Sequence, residues 1–385
     1  MNKHKNYLFL LAFLLLCFLS LFFTACSKSQ KVTVNNTIQE ENFYKIAVAA
    51  PQFGPYKALG LSIVHGAELA VDLKNKEGGI NGKKVQLIKV DDGGLASEGT
   101  WRAHSLVDLM VLGVIGHLNS DISVPASEIY SRAMIPEISP GSTSPLFTER
   151  EAVRGYVFRT VGRDDQQGEI SANFVLEKGF KKIAVLYNDR NYGLSLSSEF
   201  IKRINESKNT NIVFQNMYKV SADNFSKEVS LIKEKSTDLV FFVGEYGDAA
   251  MFLKQLKSSS INTAFLGSEG VFDQEFISSA SSASEGAFVV SLPVAMDTQF
   301  VNSYKKKFNK ELGAYSTNSF DATNILISAI EKVKEEAPAK IAKLIGETKN
   351  YEGLSGNITF DLKGDLTNPS FSVYQVKDSM FILTR

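Results

Sequence analysis

The sequence contains little cysteine: its 385 residues include only Cys17 and Cys26. Both lie in an N-terminal segment that is expected to be processed or anchored. The mature chain is therefore expected to have no internal disulfide and no thiolate metal site. A chain of this length can bury a large hydrophobic core, and that core must stabilise the fold without cross-links.

The sequence also lacks an excess of charge, because 42 basic residues balance 42 acidic ones. Without residues 1–25, which contain Lys3 and Lys5 and no acid, 40 basic and 42 acidic residues remain. This balance gives no reason to expect a nucleic acid or a strongly charged surface as partner.

Familiar catalytic motifs are missing as well. The sequence has no G-x-S-x-G elbow, no H-E-x-x-H pair and no P-loop, so any ATP hydrolysis would belong to a partner. No enzymatic activity, metal or cofactor is predicted. One enzymatic alternative stays open, in which Glu245 and Glu269 form the carboxylate pair of a hydrolase.

The N-terminus has the layout of a secretory signal. Two lysines precede an apolar run over residues 7–23, and Thr24-Ala25-Cys26 follows. Small residues directly before a cysteine resemble a bacterial lipobox, although Phe23 stands where an aliphatic residue is usual. The pattern predicts a signal peptide over residues 1–25.

Under this interpretation Cys26 is lipidated and anchors the chain to a membrane without spanning it. The polar residues 26–42 then form a tether. A retained membrane-spanning helix is the alternative, since the apolar run approaches the length of about 20 residues that a span needs. Both interpretations hold the rest of the chain outside the cytoplasm.

From residue 44 onward, short apolar runs alternate with amphipathic helical segments. The alternation continues to residue 160, restarts at residues 181–187 and continues to residue 267. Such β-α repetition predicts parallel sheets with right-handed crossovers. Two similar α/β halves in one exported chain suggest a cleft between them.

The last third is mixed, with a helix predicted over 298–312 and a strand over 358–361. Chain crossings near residues 161, 290 and 357 would make both lobes discontinuous and join them by a three-crossing hinge. The predicted lobes comprise these ranges: 43–161 plus 291–356 for the first, and 162–290 plus 357–385 for the second.

Small and hydroxyl residues follow two of the predicted strands. The run 111–115 stops at Gly116 and leads to Ser120, and the run 135–138 stops before Gly141, Ser142 and Thr143. Ligands of parallel sheets bind beyond the carboxyl ends of the strands, where hydroxyls and free N–H groups can hold a carboxylate. The stretch predicts half of a binding cleft for a small anionic group, with ordinary loops and helix caps as the alternative.

Motifs in one consistent order carry a family resemblance across residues 44–381. They read G-A-E-L-A-V with G-G-I-N-G-K; V-D-D; V-I-G-H-L-N-S; I-P-E-I-S-P-G-S-T-S-P; F-R-T-V; I-A-V-L-Y-N-D with Y-G; F-L-G-S-E-G-V; S-F-D-A; and G-N-I-T-F-D-L-K-G-D-L. In number and order these segments resemble the Leu/Ile/Val-binding family of type I periplasmic binding proteins, the receptors of branched-chain amino acid ABC transporters.

The resemblance implies an α/β fold of two Rossmann-like lobes that close on a ligand through a three-stranded hinge. It implies that Ser120 and Thr143 hold the ligand carboxylate, with Gly141 and Ser142 beside them. It further implies that Glu269 binds the ligand ammonium. Tyr192 and Tyr315 resemble aromatic residues that line the pocket.

Four positions depart from the family pattern. Glu245 falls where the family has a tyrosine, although a shift of one residue would place Tyr246 there. If Glu245 faces the cleft, two carboxylates confront the ligand, which favours an additional amine on the ligand or a raised pKa. Leu59 replaces an aromatic pocket residue, and Gly94 and Asn119 replace the two cysteines of a family disulfide.

Together these features predict a lipid-anchored substrate-binding protein of an ABC importer. Its ligand would be an amino acid of branched-chain type or a related amide or small carboxylate. The expected partners are this ligand, a membrane ABC permease and the lipid anchor, with the protein itself a monomer in the cell envelope. A lipoprotein that senses the same ligand for a membrane receptor is the alternative.

Overall fold

The computed structural model describes residues 43–293, 297–369 and 371–384. The predicted signal peptide, Cys26 and the tether lie outside these residues. Within the described ranges, no helix has the length and apolar character that crossing a membrane requires.

Two large sheets organise the fold, and a small hairpin accompanies them. The strands are β1 (Tyr44–Ala49), β2 (Val85–Val90), β3 (Val114–Gly116), β4 (Glu137–Ser139), β5 (Val157–Arg159), β6 (Lys182–Asn188), β7 (Asn211–Tyr218), β8 (Leu239–Val243), β9 (Ala264–Gly267), β10 (Phe288–Ser291), β11 (Tyr351–Gly353), β12 (Gly356–Ile358), β13 (Ser372–Lys377) and β14 (Met380–Leu383).

Twelve α-helices connect and cover the sheets in the described part of the chain. They are α1 (Lys57–Lys76), α2 (Ala96–Asp108), α3 (Ser120–Arg132), α4 (Leu146–Glu149), α5 (Asp164–Lys178), α6 (Asn191–Asn205), α7 (Ser226–Glu234), α8 (Tyr246–Ser258), α9 (Gln274–Ala280), α10 (Thr298–Phe308), α11 (Ser316–Val333) and α12 (Pro338–Gly346).

The first sheet has the strand order β2-β1-β3-β4-β5, and all its strands run parallel. The second has the order β14-β13-β10-β9-β8-β6-β7, in which β13 runs antiparallel to both neighbours. We call each sheet with its covering helices the first half and the second half. This is the predicted α/β class with parallel sheets.

Each sheet is buried on both faces, as the β-α repetition requires. In β1, Ile46 and Val48 pack into the core beneath α1 and α11, whereas Ala47 and Ala49 pack into the core beneath α2 and α3. The strands of the second sheet alternate in the same way between two cores. Continuous apolar runs such as 44–50 are therefore strands with two covered faces.

The chain passes between the halves after β5, after β10 and after β12. The lobe boundaries given above stay a prediction.

Two local predictions differ from the structure. The helix predicted to reach residue 312 ends at Phe308, because Asn309 adopts a left-handed backbone with φ of 52°. The strand predicted over 358–361 is β12, which ends at Ile358.

Candidate functional site

A cavity lies where the carboxyl ends of β1, β3 and β4 face the second half. It encloses about 320 Å³ of space not filled by atoms, including the part that opens to solvent. Its lining consists of Leu59, Leu118, Asn119, Ser120, Gly141, Thr143, Tyr192, Glu245, Gly270 and Tyr315.

Most of the predicted site residues meet on this lining. Two do not reach it. Ser142 lies behind Ser120, to which its hydroxyl donates a hydrogen bond at 3.3 Å. Glu269 is next to the lining residue Gly270 and is connected to the cavity through Tyr192.

The first-half side of the cavity consists of Ser120, Gly141 and Thr143, which we call the hydroxyl wall. Ser120 is the first residue of α3, and its Oγ accepts hydrogen bonds from the Ser142 hydroxyl and the Ser144 N–H, both at 3.3 Å. These contacts use the lone pairs of the oxygen, so the proton of Ser120 stays available to an acceptor in the cavity.

Thr143 has unused hydrogen-bonding capacity. Its buried Oγ1 makes no hydrogen bond of good geometry among the described residues, although the Asp164 carboxylate lies near it. Its N–H also has no acceptor in this part of the chain, whereas its carbonyl accepts a hydrogen bond from the Asp164 N–H at 3.0 Å. Ser120 makes no capping contact to α3, so neither hydroxyl has the simple helix-cap role that was the alternative.

On the opposite side, Tyr192 and Glu245 line the cavity, and Glu269 lies next to the lining residue Gly270; we call Tyr192, Glu245 and Glu269 the acidic wall. Tyr192 lies in the first turn of α6, and its hydroxyl accepts a hydrogen bond from the Gly270 N–H at 3.4 Å. Glu245 directly precedes α8, and Glu269 opens the short helical turn after β9. All three positions follow strands of the second sheet at their carboxyl ends.

Both glutamates of the acidic wall are buried, and neither forms an ion pair within the described part of the chain, although the charge of Arg190 is near enough to Glu245 to lower its pKa slightly. Glu269 accepts one hydrogen bond from the Gln167 amide at 3.2 Å, and Glu245 accepts one from the Asn188 amide at 2.9 Å. Burial raises the pKa of Glu269 to about 8, and the nearby charge of Asp164 adds to the effect. Burial likewise raises the pKa of Glu245 to about 8, with Asp248 as the second cause.

Asp164, the first residue of α5, is a further acid at this site that the family resemblance did not indicate. Neither of its carboxylate oxygens has a hydrogen-bond partner among the described residues. Burial raises its pKa to about 6, although the hydroxyls of Thr143 and Ser195 lie near enough to lower it. Its position directly after β5, at the carboxyl end of a strand, was the available sequence signal.

The acids give the cavity a shortage of positive charge. An ionised carboxylate away from water is costly unless a cation or several donors compensate it. A ligand ammonium at Glu269 would supply that compensation, and the hydroxyl wall would accommodate a carboxylate on the other side. The placement of donors and acids suits the two opposite charges of a zwitterion.

The departures noted in the sequence have definite positions. Glu245 lines the cavity, whereas Tyr246 does not. The Tyr246 hydroxyl instead accepts a hydrogen bond from the Ala58 N–H of the first half at 3.4 Å. Leu59 lines the cavity with Leu118 and Tyr315. A Cβ placed on Gly94 would lie 3.8 Å from the Asn119 Oδ1, so the two positions are neighbours.

Comparisons with known proteins identify the family of this chain. The profile of the periplasmic binding protein family matches residues 44–380. The leucine-, isoleucine-, valine-, threonine- and alanine-binding protein of Pseudomonas aeruginosa is 31% identical over 339 residues, which cover 86% of this chain and 89% of that protein.

Two solved structures are also similar. A leucine-binding protein from Thermotoga maritima has a TM-score of 0.81 at 27% identity, covering 89% of this chain and 97% of that one. An ABC transporter substrate-binding protein from Desulfitobacterium hafniense in complex with Leu has a TM-score of 0.75 at 27% identity, covering 89% of this chain and 100% of that one.

The fold and the cavity between its halves define a solute-binding protein of the type I periplasmic class. The chain belongs to the periplasmic binding protein family, within the group of Leu/Ile/Val-binding proteins. Its relatives are receptors rather than enzymes, so the hydrolase alternative is rejected. Membership of the family implies a location outside the cytoplasm.

Proposed function

We propose that this protein is the lipid-anchored substrate-binding component of an ABC importer and that it binds a branched-chain amino acid in the cavity. One observation carries the proposal. Among the described residues, hydroxyl and N–H donors without a hydrogen-bond acceptor lie on one wall, and buried acids without an ion-pair partner lie on the other. A zwitterionic ligand satisfies both walls only when the two halves are close together, so binding favours the closed form.

The apolar part of the lining supports a hydrocarbon side chain. Leu59, Leu118 and Tyr315 offer no charge to a ligand. The names of the relatives, which bind leucine, isoleucine and valine among others, support the same class of ligand. Glu245 is compatible with this class because its raised pKa keeps it neutral below about 8, where it acts as a polar but uncharged neighbour.

Isothermal titration of the purified mature chain tests the ligand. The panel includes leucine, isoleucine, valine, threonine, glutamine, ornithine and 4-methylpentanoate. We expect the branched-chain amino acids to bind most tightly. Preferential binding of ornithine would instead show that Glu245 and Glu269 each bind an amine of the ligand. If no member of the panel binds, the proposal is rejected.

The anchor is tested separately. Replacement of Cys26 by alanine is expected to move the protein from the membrane fraction to the soluble fraction of cells, with ligand binding unchanged. Membrane retention of the variant would favour the uncleaved spanning helix. Uptake of the labelled amino acid by a strain that lacks the protein distinguishes transport from sensing, because only a transport component is needed for uptake.

A further inference from the structure

The guanidinium of Arg159 holds the loop that carries Thr143. Arg159 is the last residue of β5, and its side chain is fully buried. One terminal nitrogen donates to the Ser142 carbonyl at 2.8 Å, and the other donates to the Ser144 carbonyl at 2.9 Å and to the Thr148 Oγ1 at 2.9 Å. A single planar group thus fixes three points of the segment 142–148.

These contacts determine where the Thr143 donors point. In a trans peptide the N–H and the preceding C=O point in opposite directions. Because the Ser142 carbonyl is directed at Arg159, the Thr143 N–H is directed away from it. That N–H has no partner among the described residues, the Thr143 Oγ1 has none either, and Thr143 lines the cavity.

Arg159 is itself fixed by the chain segment that follows β12. Its Nε lies 2.7 Å from the Asp365 Oδ1, and Asp365 also accepts from the Thr148 hydroxyl at 2.9 Å. Arg163 approaches the other oxygen of Asp365 at 2.7 Å. Two arginines and one hydroxyl therefore share this buried carboxylate.

The same segment lies directly against β5. The Arg159 N–H donates to the Gly364 carbonyl at 3.0 Å. Gly364 has a φ of 93°, and a Cβ there would lie 2.0 Å from the Val157 carbonyl oxygen. Only glycine permits this approach, which brings Asp365 within reach of Arg159.

We infer that Arg159 and Asp365 form a positioning pair, which fixes the loop 141–148 so that the Thr143 N–H and hydroxyl face the ligand carboxylate. Neither residue lines the cavity, so the pair acts through Thr143. The inference rests on the proposed function for the identity of the ligand, whereas the fixation of the loop is a property of the protein without ligand.

Hydrogen exchange of the ligand-free mature chain tests the fixation. Arg159→Lys keeps a positive charge but loses the planar fork, and we expect the amides of 141–148 to exchange about tenfold faster. Arg163→Gln is the matched control. It removes the other arginine from Asp365 and contacts neither the Ser142 nor the Ser144 carbonyl, so exchange in 141–148 should keep the wild-type rate.

Binding of L-leucine and L-leucinol tests the direction of the effect, because leucinol has the ammonium and the side chain but no carboxylate. In Arg159→Lys, leucine affinity is expected to fall about tenfold while leucinol affinity changes little. Variants that only destabilise the fold weaken both compounds equally. Arg163→Gln should preserve the wild-type ratio of the two affinities.

Asp365→Asn provides a second variant of the pair if Arg159→Lys fails to fold, and the same faster exchange and the same lower ratio are expected for it. Unchanged exchange together with an unchanged ratio would overturn the inference and leave the pair a purely structural one. If the wild type binds neither compound, the ligand proposal fails, and the exchange experiment still decides whether the pair fixes the loop.

Discussion

The two walls of the cavity differ in how completely their polar groups are already bonded. On the hydroxyl wall, the Ser120 oxygen accepts two hydrogen bonds, and the loop after β4 is held through its carbonyls by Arg159. On the acidic wall, Glu245 and Glu269 have one amide partner each and a pKa raised to about 8. One wall is preorganised, whereas the other is electrostatically unsatisfied.

This difference suggests a division of the binding free energy. The hydroxyl wall changes little when a carboxylate arrives, so it chiefly fixes the orientation of the ligand. The acidic wall gains a charge partner that it lacks in the empty site, so its contribution to affinity is expected to be larger.

Replacing Glu269 by glutamine should have the largest effect. The substitution keeps the shape and the amide contact of the side chain but removes the only charge assigned to the ligand ammonium. We expect leucine affinity to fall about a hundredfold, or about 2.7 kcal/mol, in isothermal titration. Binding of 4-methylpentanoate, which has no ammonium, should change much less. An equal loss for both compounds would show that Glu269 does not bind the ammonium.

Replacing Thr143 by valine should have the next largest effect. Valine keeps the β-branched shape and removes the hydroxyl, so leucine affinity should fall by about 1.5 kcal/mol, or roughly tenfold. Ser142→Ala is the matched control, since that hydroxyl lies behind Ser120 and should cost less. A larger loss in the Ser142 variant would reverse the roles assigned to the two hydroxyls.

The acidic wall should make the empty protein more stable in mild acid. Burial raises the pKa of Glu245 and Glu269 to about 8 in the folded state, whereas a glutamate in the unfolded chain has a pKa of about 4.3. Between these two pH values the folded state therefore binds more protons than the unfolded state. Their contribution to stability is therefore complete below pH ~4.3 and is lost as the pH rises through about 8.

Calorimetric scans of the empty protein from pH 8.5 to pH 5.5 measure this effect. We expect the melting temperature to rise by about 5 °C on acidification, and the rise should shrink in Glu245→Gln and nearly vanish in the double variant with Glu269→Gln. A rise that persists in the double variant would assign the pH dependence to other groups, of which Asp164, Asp248 and Asp273 also have a raised pKa.

Replacing Glu245 by glutamine should have the smallest effect. The pKa of both acids is raised to about 8 in the empty site, but only Glu269 is assigned the ligand ammonium and is expected to ionise when it binds. Glu245 stays neutral at pH 7, so a neutral amide of the same shape should change leucine affinity less than about threefold. The comparison with Glu269→Gln is informative because the two acids share the same raised pKa. Similar large losses in both variants, again by titration at pH 7, would show that the ligand uses both acids.

The alternation of apolar runs and helices predicted both sheets, because a strand buried on two faces needs a continuous apolar run. Strand β13 corresponds to a strand predicted from about residue 370 to Val376, whereas its hairpin partner β14 was missed. The turn of this hairpin is formed by Asp378 and Ser379, both with positive φ, and β14 is largely exposed, so neither a glycine signal nor an apolar face marked it. Tertiary pairing with β13 determined that strand.

The residues of the site divide in the same way into those that a local sequence pattern predicts and those that long-range contacts determine. Ser120, Thr143 and Glu245 follow strands at their carboxyl ends, and the structure places all three at one cavity. Asp164 and Arg159 were not assigned a role. The surroundings of Arg159 depend on Asp365, which is 206 positions beyond it and reaches it only because Gly364 packs on β5. No local pattern contains that contact.

The contact of Gly364 with the Val157 carbonyl also has a mechanical consequence. Residues 364 and 365 are held against the first half by the close approach of Gly364 to β5 and by the buried ion pair of Asp365 with Arg159. If the halves close on a ligand, we expect this short segment to stay with the first half. A glycine with no chemistry of its own would then limit where this one of the three passages can bend.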